Sequence, residues 1–182
     1  MLAGGAALQV IRNGVERNRG DPDLPIGAAG YRTFAADCLW LQTDLAWEAK
    51  EEAKVRRLVG FTVATDPRTI YFWLNGARIL AYDFPAWRCQ SDPQAPLAVQ
   101  AGWRTAGANE ALALLERGLK YHGDSAAFDL EMANICLYGL GDRHRAAAYY
   151  LRASGQPDAP DYAARIYARL HAEEIAGMTL TR

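Results

Sequence analysis

A chain of 182 residues offers few places where chemistry could start. The three histidines, His122, His144 and His171, never fall into the HxxxH or HExxH spacing that sets two imidazoles on one helical face around a metal. They read as surface side chains. Cys38, Cys89 and Cys136 lie about fifty residues apart and form no CxxC pair, so neither a zinc site nor a disulfide framework is indicated. Cys38 and Cys136 sit in apolar runs and read as small buried hydrophobes, whereas Cys89 falls in a polar stretch and reads as a free thiol. Gly123-Asp124-Ser125 would be a hydrolytic nucleophile only after a strand, beside an oxyanion hole and with a downstream Asp-x-x-His. Asp142-Arg143-His144 is too short for that spacing, so the triplet reads as a helix stop followed by a cap. "LAGGAA" at 2–7 lacks the lysine and the Ser or Thr of a phosphate loop. No catalytic residue, metal or cofactor is expected.

Composition narrows the partners further. The 20 basic and 21 acidic residues nearly cancel, without the clustered positive excess that nucleic acid or an anionic membrane requires. With 51% hydrophobic and 23% charged residues, the chain is expected to fold around a core. "MLAGGAALQVI" at 1–11 is apolar but too short to span a bilayer and lacks the basic start of a signal peptide. It reads either as a frayed terminus or as the tail of a longer membrane anchor. Residues 12–25 read as a polar linker, which leaves 1–28 as tail and 29–178 as the folded domain.

The elements that would position any site are helical nearly everywhere. Apolar spacing predicts helices near 30–46, 48–64, 67–82, 109–121, 125–139, 143–154 and 160–176, about seven in all, with no alternating strand. Asp66 with Pro67, Asn109 and Asp142 read as helix starts, and Gly123, Gly155 and Gly177 as stops. Gly76 in mid-helix costs about 1 kcal/mol against alanine, which close approach of a neighbouring helix would offset. Residues 83–107 hold three prolines and read as a long connection with a short helix near 95–104. Trp40 and Trp73 lie in apolar helical runs, as core residues do, and Trp47 at a helix junction. Trp87 and Trp103 fall in the connection, either as anchors for a partner or as plugs folded over the helices.

Two helices then prove to be related. Ala111, Leu115, Gly118 and Gly123 are followed 35 residues later by Ala146, Tyr150, Ala153 and Asp158. Small, bulky and small residues thus share one helical face, where the small ones admit a neighbouring helix and the large one fills the groove. Gly141 makes the turn before the second of these helices. The preceding helices match as well, Phe72, Asn75, Gly76 and Ile79 against Leu130, Ala133, Asn134 and Leu137.

In this helix–turn–helix pattern the chain resembles the tetratricopeptide repeat superfamily, whose period is 34 residues. The resemblance is good over 106–158, fair over 50–82 and weak over 30–47. The usual first-helix tryptophan is Phe72 in one repeat and Leu130 in the other, and the usual glycine is Asn134 in the second. "ADCLWLQ" at 36–42 with "TDPRTIYFWLNGARILAYD" at 65–83 is similar to a group of uncharacterised bacterial tetratricopeptide proteins, whose members often carry an N-terminal membrane segment. The resemblance implies an all-α right-handed superhelix of stacked antiparallel pairs, in which first helices line a concave face that holds a peptide or a partner domain. It implies a bacterial protein, either a soluble cytoplasmic domain or one anchored to a membrane. The face opposite the packing positions predicts Trp73, Ala77, Glu131, Ile135 and Tyr138 as groove-lining. A non-catalytic protein–protein interaction module is the expectation. A structural subunit of a membrane-associated complex and a small-molecule enzyme on a helical scaffold are the alternatives.

Overall fold

Apolar residues three and four apart draw the first two helices together. The computed structural model describes residues 26–180, and α1 runs Ile26–Glu48 and α2 Glu52–Thr65. Ala36, Leu39, Trp40, Thr43 and Ala46 face Val55, Leu58, Val59, Thr62 and Val63, all buried. The two buried threonines return their hydroxyls to their own helices, Thr43 to the Leu39 carbonyl at 2.9 Å and Thr62 to that of Leu58 at 2.9 Å. Asp66 ends α2 and does not begin the next helix as expected. Its carboxylate accepts from the Arg68 N–H at 3.2 Å and from the hydroxyls of Thr69 at 2.7 Å and Thr33 at 3.0 Å. Those bonds make a side-chain-stabilised turn through Pro67, so the next helix starts only at Ile70.

Between Thr69 and Ile70 the chain divides into two compact units. The second holds five helices: α3 at 70–91, α4 Leu97–His122, α5 at 126–140, α6 Arg143–Ser154 and α7 Tyr162–Leu180. All seven helices are joined by turns, and no strand occurs among the described residues. Consecutive helices pack on one another: α3 on α4, α4 on α5, α5 on α6 and α6 on α7. The short turns make each such pair antiparallel.

The expected connection at 83–107 is helical instead, broken only at 92–96. α3 passes through a π-helical segment, Ile79–Asp83, and then continues as an α-helix over Phe84–Ser91 with Pro85 inside it. α4 begins at Leu97, so Asn109 is mid-helix and caps nothing. α5 also ends in a π-helical segment, Ile135–Leu140, closed by Gly141 at φ 68°. Asp142 caps α6 as expected, accepting from the Arg145 N–H at 2.9 Å, and Gly123 at φ 62° ends α4. α7 runs past Gly177 to Leu180, because a helical glycine costs only about 1 kcal/mol and does not by itself end a helix.

The small–large–small positions lie in the core. Ala111, Leu115, Gly118, Ala146, Tyr150, Ala153 and Gly76 are all buried. A Cβ on Gly118 would stand 2.5 Å from the Phe128 ring and 3.0 Å from that of Trp73, so this glycine lets α4 touch α3 and α5 together. Among the described residues no helix is long and apolar enough to cross a membrane. The tail, linker and anchor expectations at 1–25 lie outside the described residues.

Candidate functional site

Two π-helical segments side by side are the local anomaly from which the site grows. The Phe84 N–H bonds the Ile79 carbonyl, five residues back, and Pro85 has no N–H to give. The Leu80 carbonyl is thereby left without its usual in-helix donor. It faces α4 at Gly107, where a Cβ would fall inside contact distance of the Leu80 oxygen and 2.9 Å from Pro85 Cγ. Gly139 in the α5 segment approaches α4 as closely, since a Cβ there would stand 2.9 Å from that of Ala108. Both segments are thus pressed onto one stretch of α4, and π-turns of this kind recur at functional sites.

Between them lies a cavity of about 270 Å³ that opens to solvent. α3 supplies one wall through Ala81, Tyr82, Pro85, Ala86 and Cys89. α5 supplies the other through Tyr138 and Gly139, and α4 contributes Arg104. The Cys89 thiol lies 3.8 Å from Gln100 Oε1, and Gln100 Nε2 donates to the Ala95 carbonyl at 2.9 Å, which ties the 92–96 turn to the rim. Burial and the nearby Glu131 carboxylate push the Tyr82 phenol well above its ordinary range, so it stays a neutral donor. Tyr138 is 67% exposed. Among the described residues Arg104 has no ion-pair or hydrogen-bond partner.

The other buried charges are already matched. Glu131, 4% exposed, accepts from Arg78 Nε at 2.9 Å and Nη2 at 2.7 Å, joining α5 to α3. Asp129, 1% exposed, accepts from Arg152 Nε at 2.8 Å and Gln156 Nε2 at 2.7 Å, joining α5 to α6. Tyr150 donates to Asn134 Oδ1 at 2.6 Å. These pairs hold helices in register.

The residues expected to line a groove are mostly core. Trp73, Ala77 and Ile135 are buried, and Trp73 stacks on Tyr121 with centroids 6.0 Å apart. Trp73 is covered by α4 at Gly118 and Tyr121, so the face opposite the repeat positions is itself a packing face. Glu131 is spent on Arg78, and of the five only Tyr138 stands in solvent, at the cavity rim. Trp87 and Trp103 are half-buried on α3 and α4, and Trp87 leans on Phe84 at 5.3 Å. Reading 83–107 as a connection hides Arg104, Ala86 and Cys89, whereas Tyr82 falls at the end of the predicted 67–82 helix. The signal that could have exposed them is the apolar run through Leu80 and Phe84, which does not stop at Pro85.

Among the described residues no group of three His, Cys, Asp or Glu side chains is placed to hold a metal. His122 is tilted against Phe128 at 5.2 Å, and His171 stacks on Tyr167 at 5.6 Å. The cavity can hold an apolar group against its small-residue walls and an anionic one against Arg104. Fold and cavity together define an all-helical protein with a small apolar recess edged by a cation. Compared with protein-family models, curated proteins and solved structures, the chain finds no match.

Proposed function

We propose that the chain is a non-catalytic protein–protein interaction module whose second unit is built as a short tetratricopeptide-like, right-handed stack. The observation that carries this reading is the equivalence at a 35-residue offset. Ala111 and Ala146, Leu115 and Tyr150, and Gly118 and Ala153 are all buried at matching positions of α4 and α6. The Arg78–Glu131 pair supports it by tying the first helix of one pair to the first helix of the next. A stack of this kind buries its core between neighbours and leaves outward side chains to bind. Tyr71 and Tyr138, exposed on α3 and α5, are such side chains.

The test is affinity capture by the full chain from lysate of its source, beside a Tyr71→Ser, Tyr138→Ser double variant. We expect a stoichiometric partner whose recovery falls at least tenfold with the variant. No partner at micromolar bait, or equal recovery by both chains, overturns the proposal. One observation favours a second reading, a structural subunit of a membrane-associated complex: α1 shows Tyr31, Phe34, Leu41 and Leu45 outward at helical spacing. Co-sedimentation of the full chain with vesicles would support that reading, and its absence would remove it.

A further inference from the structure

We infer that the recess between α3, α4 and α5 seats one bulky apolar side chain of a partner protein, of phenylalanine or leucine size, with an adjacent carboxylate held by Arg104. The inference rests on the interaction-module reading and names the chemistry of the partner. Size argues first. At about 270 Å³ the recess falls below the range of roughly 300–1,000 Å³ usual for small-molecule and cofactor sites. One anchoring side chain of the kind that dominates interface energies is the better match.

The walls argue next. Ala81, Ala86 and Gly139 are small and Pro85 is rigid, so the depth of the recess comes from missing side-chain volume and does not have to be opened. The close approach of α4 at Gly107 fixes the α3 wall, and its approach at Gly139 fixes that of α5. A preformed recess spares the ordering cost that weakens flexible sites. Tyr138 stands beside it largely in water, and covering such a ring is a typical source of interface stability.

Charge selects the neighbour of that anchor. Among the described residues no acidic side chain lines the recess, and Arg104 is its one charged side chain. Arg78 and Arg152 are engaged with Glu131 and Asp129, whereas Arg104 has no partner among the described residues. A guanidinium beside an apolar wall offers a carboxylate two parallel N–H donors.

Ten-residue peptides on a Gly-Ser frame test this against the full chain, titrated to millimolar concentration and followed by peptide NMR line broadening. One carries Phe-Asp, and its controls carry Ala-Asp and Phe-Lys. Alkylation of Cys89 by N-ethylmaleimide, mapped by mass spectrometry, reports occupancy of the recess itself. The Phe-Asp peptide should bind at least tenfold more tightly than either control and slow Cys89 alkylation at least threefold. Arg104→Glu should invert the preference between Phe-Asp and Phe-Lys, and Ala86→Trp, at an exposed position, should abolish binding with the melting temperature unchanged. Equal binding of the three peptides, an unaltered order in Arg104→Glu, or unprotected Cys89 overturns the inference. If Ala86→Trp and Arg104→Glu still capture the lysate partner, this recess is excluded while the interaction-module reading stands. If the unaltered chain captures nothing, that reading falls first.

Discussion

Three glycines on α4 meet three different surroundings, and substitution to alanine should separate them. At Gly102 nothing lies within 4 Å of an added Cβ, so alanine gains helix propensity and should stabilise by up to about 1 kcal/mol. At Gly118 the new methyl would press on the Phe128 and Trp73 rings, and overpacking of about 1–3 kcal/mol outweighs that gain. At Gly107 the obstacle is the Leu80 backbone oxygen, which cannot rotate away as a ring can, so this loss should be the largest. Urea denaturation of the three variants checks the order, and a stable Gly107→Ala would refute the α3–α4 approach described above. Tyr150 gives a second test. Burial, with Tyr138 and Tyr162 nearby, pushes its phenol up to about 12 from an ordinary 10.0. The folded chain therefore holds this proton more tightly than the unfolded one. The stability it contributes is intact below pH about 10 and disappears as pH climbs through about 12. The melting temperature of the unaltered chain should fall more steeply across that window than that of Tyr150→Phe. The variant should also lose about 1 kcal/mol at neutral pH with its bond to Asn134. Parallel slopes would show that the phenol does not couple to folding.

Between α1 and α2 the chain turns on Lys50, at φ 54° the one described non-glycine residue with positive φ. The Lys50 N–H bonds the Trp47 carbonyl at 2.9 Å and the Glu51 N–H that of Ala46 at 2.9 Å, the paired bonds of a glycine-type helix end. Lys50→Gly should therefore raise stability by up to about 1 kcal/mol, read as a higher urea midpoint at constant slope. A lower midpoint would mean that the lysine side chain matters more than its backbone. The same logic separates what could be read in the sequence from what could not. Asp142 and Gly123 act locally, through a cap bond and a left-handed turn, so their types alone announced the ends of helices. Pro85 looked like a breaker because proline removes a ladder bond in an ordinary α-helix. Here the ladder has already shifted to π pairing one residue earlier, which depends on Gly107 standing opposite, and no local pattern in the sequence reports that. Trp73 and Ala77 lie on a face of α3 that helical packing fills, Trp73 against Gly118 and Tyr121 of α4, and spacing along one helix does not report which neighbour covers it. Of the three prolines in 83–107, Pro93 and Pro96 lie in the 92–96 break and Pro85 does not interrupt its helix.

Across the whole molecule, stability should be graded by how many neighbours each helix has. Within the first unit α1 and α2 pack on one another, and a two-helix unit buries little apolar surface of its own. In the second unit α4 and α5 are each held from two sides, whereas α7 packs on α6 alone among the consecutive pairs. In such an arrangement free energy accumulates from neighbour contacts, so opening starts at the ends. Amide exchange should be slowest in α4 and α5, faster in α7 and separately faster in α1–α2. The Arg152→Met variant sharpens the test. It leaves the Asp129 carboxylate, 1% exposed, with Gln156 as its main partner and should cost about 2–3 kcal/mol. Because Asp129 joins α5 to α6, protection should fall together in α5, α6 and α7 while α1–α2 exchange is unchanged. Loss of protection in α1–α2 to the same extent would mean that the two compact units open as one. A loss confined to α6 would mean that the carboxylate is a local brace and not the tie between α5 and α6. The expected pattern assigns it the second role, since its two donors sit on α6 and just beyond it while the carboxylate itself is buried on α5.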